Sequence, residues 1–163
     1  MPTESQCGVG GVGGPDCHDL QVIAYTAVSS APAEDVWPLL AQPARWRRWA
    51  PDLREAVGLG RPEVEPGRRG LVIAAPGLLV PVRVLDKVPG RCWSWSVGPL
   101  RLGHAVTPAK GGGREVRVEL RGPLWLEVLV GATYGPLIRL LLANLVRVAG
   151  RRSPLDTAAS ARS

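Results

Sequence analysis

Cysteine is scarce in this chain and does not pair off. Cys7, Cys17 and Cys92 are odd in number, and two of them fall in a glycine-rich opening. A disulfide framework is therefore not expected, and reduced thiols in a cytoplasmic setting are. The first twenty residues hold no lysine or arginine and no apolar leader segment. The longest uncharged run, residues 20–33, is only 14 long and is broken by Gln21, Thr26, Ser29, Ser30 and Pro32. Neither a signal peptide nor a spanning segment is predicted.

Catalytic and metal-binding constellations are also missing. No nucleophile stands with a base, and no paired carboxylates or metal triad occur at a defined spacing. Cys17-His18 beside Cys7 lacks ligand spacing and a fourth donor, so no metal is expected. Gly8, Gly10 and Gly13 make a formal G-x-G-x-x-G match, but no strand leads in and Gly14-Pro15 follows. Without a strand before and a helix after, that pattern cannot cradle a pyrophosphate, and no cofactor is predicted.

What is present is one domain's worth of chain, 163 residues, with a formal charge of +6. That length buries enough surface for a core of its own. Of the 20 basic residues 18 are arginine, and they are spread along the domain rather than blocked together, which is the pattern of a solvated surface and not of a nucleic-acid footprint. The organisation reads as a flexible tail over residues 1–19, a folded domain over 20–150 and a polar tail over 151–163.

Within the domain, "LQVIAYTAVSS" is a first strand and "APAEDVWPLLAQ" a short helix, with Pro32, Glu34 and Asp35 suited to its first turn. Pro43 starts a second short helix, and Pro51 disfavours helix at Ala50. From Leu53 to about Trp125 six short apolar runs are separated by Pro66-Gly67, Pro76-Gly77, Pro89-Gly90, Gly98-Pro99 and Gly111-Gly112-Gly113, which is an antiparallel meander. In "REVRVEL" the alternation leaves Glu115, Arg117, Glu119 and Arg121 on a wet face. Trp93, Trp95 and Val97 share a face of "RCWSWSV". The closing "PLWLEVLVGATYGPLIRLLLANLVRVAG" is helical, with Pro136 kinking it or marking its regular start and Gly150 as its C-cap. Helical period puts Arg139, Ala143 and Arg147 on one face and Glu127, Tyr134, Ile138, Leu141, Leu145 and Val148 on the other, which the sheet is expected to cover. The plan is α+β: two short helices after strand 1, and a curved seven-stranded antiparallel sheet around a long C-terminal helix, with room for a ligand between them.

"APAEDVWPLLAQPARWRRWAPDL", the meander, "GHAVTPAKGGGREVRVELRGPL" and "YGPLIRLLLANLVRVAG" together resemble the START-like helix-grip (SRPBCC) superfamily, in its polyketide cyclase/dehydrase and lipid-transport branch. The resemblance implies that the corner "PARWRRWAPD" packs Trp46 and Trp49 on the fold and leaves its arginines in water, as residue physics also favours. It further implies a hydrophobic, polyketide- or lipid-like ligand in an internal cavity.

His104 shares a face with Leu102 and Val106, where a neutral imidazole either moves a proton or is simply tucked under the sheet. Tyr134 either orients a ligand carbonyl or packs, and Glu127 sits at a cavity mouth or compensates the helix dipole. Trp93 and Trp95 read equally as cavity wall and as core, and Ile138 and Leu141 on the inner helical face are further ligand-binding candidates. Three functions stay open: a carrier of a small hydrophobic molecule, a polyketide cyclase/aromatase-dehydrase using His104, Tyr134 and Glu127, and a ligand-free interaction module. No nucleic-acid partner and no stable membrane insertion are expected.

Overall fold

The computed structural model describes residues 23–151; the glycine-rich opening and the polar tail after Arg151 lie outside the described residues. The chain runs β1 (Ile23–Ser29), α1 (Ala33–Ala41), a short 3-10 helix η1 (Pro43–Arg48), β2 (Leu53–Val57), β3 (Arg69–Ala74), β4 (Leu78–Val88), β5 (Cys92–Val97), β6 (Leu100–Pro108), β7 (Arg114–Arg121) and α2 (Leu124–Gly150). The seven strands form one antiparallel sheet in the order β1-β7-β6-β5-β4-β3-β2. Every hairpin is local except the one that returns β7 to β1, so the two short helices occupy the long connection between the edge strands β1 and β2.

Register decides which residues can meet. Tyr25, Val118, His104 and Trp93 lie in one row across β1, β7, β6 and β5, and Ile23, Leu120, Leu102, Trp95 and Val84 in the next. Residues directly opposite in an antiparallel pair share a face, so both rows belong to the side that carries the core. The other face of β7 is less wet than its alternation suggests. Glu119 is buried there between Arg117 and Arg121, at 2.9 and 3.2 Å.

α2 lies across the β1 end of this face. A Cβ added at Gly135 would stand 2.7 Å from the Tyr25 hydroxyl oxygen, and one at Gly131 2.9 Å from Ile23 Cδ1, so the absence of side chains there sets how closely helix and strand approach. Further along, Leu142, Leu145 and Ala149 are buried, and Asn144 Nδ2 donates to the Trp49 carbonyl at 2.8 Å, tying the helix to the corner. The helix is continuous through Pro136, so its regular start is at Leu124 and not after the proline. Its covering is also thinner than expected, since β1 and α1 take one side and little of β7 is reached. The 27-residue helix is long and apolar enough by length and composition to cross a membrane, and most of it is not buried against the rest of the protein. Glu127, Arg139 and Arg147 interrupt its apolar sequence, so it contains no long uncharged run.

Cys92, at the start of β5, is disulfide-bonded, where reduced thiols were expected.

Candidate ligand-binding site

η1 delivers the first component. Pro43 at its start and three arginines in its last turn leave Trp46 as its one buried residue. Trp46 Nε1 donates to the Leu40 carbonyl at 3.0 Å, and Trp49 Nε1 to the Leu39 carbonyl at 2.8 Å. These bonds satisfy carbonyls at the end of α1 that have no helical partner, so the two indoles cap one helix while packing beneath it. Arg45, Arg47 and Arg48 stay exposed, which is the packed corner that the composition of the stretch obscures.

Held this way, Trp46 lies over the sheet. Its ring stacks on Trp93 with centroids 5.8 Å apart and planes 9° from parallel. Trp93 stacks in turn on His104, its register partner, at 4.2 Å and 7°. Trp95 stands edge-on to all three, at 5.4 Å from Trp46, 5.2 Å from Trp93 and 5.7 Å from His104. Three parallel rings with a fourth across their edge make an aromatic cluster on the concave face; Val97 on β5 and Ile138 and Leu141 on α2 are half-buried and pack against the core to which the cluster belongs.

Three of its ring nitrogens are unsatisfied. Trp93 Nε1, Trp95 Nε1 and His104 Nδ1 are all buried without a hydrogen-bond partner. Burial also pushes the His104 imidazole down to about 3 from its ordinary 6.5, so the ring is neutral at physiological pH. A base that weak is poorly suited to taking a proton from a carbon acid near neutrality.

The other candidates are placed differently. Tyr134 does not share the covered face: it is 51% exposed, because the helix meets β1 through Gly131 and Gly135 and its neighbouring side chain is turned out of that contact. Glu127 is fully buried, but its Oε1 accepts from the backbone N–H of Gly122, so it braces the turn before α2 and does not stand at a cavity mouth. The cluster therefore unites His104, Trp93 and Trp95, and leaves Tyr134 and Glu127 outside. Among the described residues no group of acidic, histidine or cysteine side chains has the arrangement of a metal site.

Sequence reasoning missed two features. Trp46 was assigned to the corner alone, yet it also closes the aromatic stack. A half-open groove of about 880 Å³ lies on its other side, between η1 and β2, lined among others by Leu53, Ala56, Arg47, Arg54 and Arg61. This is not the hollow expected beneath α2, where the tryptophans themselves occupy the concave face. Two prolines and two glycines in the lining, Pro43, Pro62, Gly58 and Gly60, were the available signal that backbone there makes room.

An antiparallel sheet grasping a C-terminal helix, with short helices after its first strand, defines a START-like helix-grip protein. The profile of the family described as polyketide cyclase / dehydrase and lipid transport matches residues 21–150, and the chain belongs to that family. No curated protein matches it. Solved structures share the fold at low identity. A Mesorhizobium loti protein is 17% identical with a TM-score of 0.67, covering 82% of this chain and 99% of its own. A Thermobifida fusca protein is 17% identical at 0.65, covering 80% and 93%. A START superfamily protein from Mycobacterium smegmatis is 12% identical at 0.59, covering 78% and 98%.

Proposed function

We propose that the protein binds a small, neutral, hydrophobic molecule that carries a hydrogen-bond acceptor. The observation that carries this reading is the set of orphaned nitrogens in the aromatic cluster. A buried donor without a partner costs about 1–3 kcal/mol, and two indoles and an imidazole in one place are a costly way to build a core that has no other task. The aromatic surroundings suit an apolar ligand, the two indole N–H groups suit a carbonyl-type oxygen, and no charge in the cluster answers a carboxylate or an ammonium. The groove has the volume of a small-molecule site, and Trp46 is the wall it shares with the cluster.

Binding is favoured over cyclase or dehydrase chemistry because only one of the three acid/base candidates, His104, reaches the cluster, and it is a weak base there. A ligand-free interaction module would also fill its interior with tryptophan, but it would gain stability by satisfying or deleting those donors. The test compares fluorenone with fluorene, which share a ring frame and differ by one carbonyl, in a titration read by tryptophan emission. Fluorenone should bind about tenfold more tightly, the worth of one such bond. Trp93→Phe with Trp95→Phe should erase the difference. Equal affinity for both compounds in the unmodified protein removes the acceptor requirement, and native mass spectrometry of the purified protein should show a co-purified hydrophobic molecule.

A further inference from the structure

α2 has two apolar sides, and the fold uses one. Glu127, Gly135, Leu142, Leu145 and Ala149 are buried toward the rest of the protein. Around the opposite side, at helical spacing, stand Trp125, Leu129, Ala132, Pro136, Leu140 and Ala143, all exposed. Trp125 is 68%, Leu129 54% and Leu140 63% exposed, and Val128 at 57% widens the strip. From Trp125 to Ala143 it runs about 27 Å along the helix. Thr133 interrupts it in sequence only, since its hydroxyl donates back to the Leu129 carbonyl at 2.7 Å.

The charges beside this strip have one sign. The helix has a single acid, Glu127, which is buried, while Arg139 and Arg147 are exposed along it and Arg151 follows its end. Arg139 lies over the Tyr25 ring at 5.8 Å and Arg147 donates to Asn144, so both are held near the helix with their charge uncancelled by any carboxylate on it.

We propose that this strip is a docking face for an anionic lipid surface, with α2 lying in the plane of the interface. An exposed apolar strip bearing a tryptophan and flanked by arginines has the chemistry of an interfacial helix, where apolar side chains enter the acyl boundary and cations meet anionic headgroups. Spanning is disfavoured. It would strip Gly131 and Gly135 from β1, break the Asn144 bond to Trp49 and carry Arg139 toward the bilayer centre. A second copy is also a poorer occupant, because strip against strip brings arginines together and offers them no acid. The proposal does not depend on what the aromatic cluster holds.

Flotation of the full chain with vesicles tests it. Phosphatidylcholine vesicles containing about 30% phosphatidylglycerol should carry the protein up, phosphatidylcholine alone should do so about tenfold less well, and about 0.5 M salt should release it. Leu129→Glu with Leu140→Glu should lower vesicle binding about tenfold or more while leaving the circular dichroism and melting temperature unchanged, as both positions face outward. Arg139→Gln with Arg147→Gln should lower binding to the anionic vesicles severalfold and leave the neutral ones unaffected. Absence of binding to either vesicle, or undiminished binding by the Leu129→Glu, Leu140→Glu protein, overturns the proposal. So does a dimer in sedimentation velocity that Leu140→Glu disperses without any vesicle binding, which assigns the strip to a second copy.

Discussion

Trp37, Trp46 and Trp49 come from the helical corner and Trp93 and Trp95 from β5, and both groups end in the same core under different terms. Each corner indole has its N–H satisfied: Trp37 by Glu63 at 2.9 Å, Trp46 by the Leu40 carbonyl and Trp49 by the Leu39 carbonyl. Neither strand indole has a partner. Both groups bury their rings, so the difference is one of role. Corner tryptophans fix the geometry by joining a buried ring to a specified acceptor, which orients the ring as well as burying it. Strand tryptophans bury the ring and leave the donor waiting.

The largest expected effect is on stability at the corner. Trp46→Ala and Trp49→Ala should each cost about 3–5 kcal/mol in urea unfolding, from lost burial plus the cavity left behind. Phenylalanine replacements sharpen the comparison because each removes a similar part of the ring and differs only in the hydrogen bond. Trp49→Phe should exceed Trp93→Phe in cost by about 1–2 kcal/mol, since the first leaves the Leu39 carbonyl without its donor and the second deletes a donor that had no partner. Equal costs would break the distinction.

His104 gives the strand side its own signature. With the native pKa held at about 3 and the unfolded one near 6.5, the unfolded chain takes up a proton first as pH falls. The stability that depends on the neutral ring is complete above the unfolded value and is lost through the window below it, at up to about 1.4 kcal/mol per pH unit. Lowering the pH from 7 to 5 should thus remove about 2 kcal/mol through this group. His104→Phe keeps a ring against Trp93 and should flatten that part of the pH profile, measured as the difference between the two proteins at each pH. Identical profiles would mean that the imidazole reaches solvent. A smaller effect is expected where the corner meets α2: Asn144→Ala removes the donor to the Trp49 carbonyl and should cost about 1 kcal/mol, with no change in the pH profile.

Much of this architecture was legible in the chain itself. The proline-glycine and glycine-proline pairs marked the hairpins because a turn needs a backbone that most residues avoid, and Gly67, Gly77, Gly90 and Gly98 do take positive φ. Alternation placed Trp93 with Trp95 on one face of β5 and His104 with Leu102 on one face of β6, since strand parity is local information, while the pairing of Trp93 with His104 comes from register. Coverage is not local. Helical period groups Tyr134 with Glu127 and Leu145, but how far a sheet extends beneath a helix depends on register and on where glycines allow contact, and so the exposed side of α2 was missed. The partners of the indole nitrogens were equally out of reach, because Trp46 and Trp49 find carbonyls six and ten residues back, whose direction is set only after the corner has formed.

The smallest expected effect falls on the residues that give the corner its unusual composition. Arg47 and Arg48 lie between the two anchored tryptophans, are exposed, and have no acidic partner among the described residues. An exposed cation without a partner contributes little to folding, and Trp46 and Trp49 keep their acceptors whatever stands between them. Arg47→Ser with Arg48→Ser should therefore shift unfolding by less than about 0.5 kcal/mol and leave the fluorenone affinity nearly as it was. Arg47 also lines the groove, so the measurement asks whether the groove's arginines take part in binding. A neutral ligand held by aromatic surroundings and indole donors is indifferent to that charge, whereas a large loss of affinity would move the polar contact from β5 to the corner and reverse the roles assigned to the two groups of tryptophans.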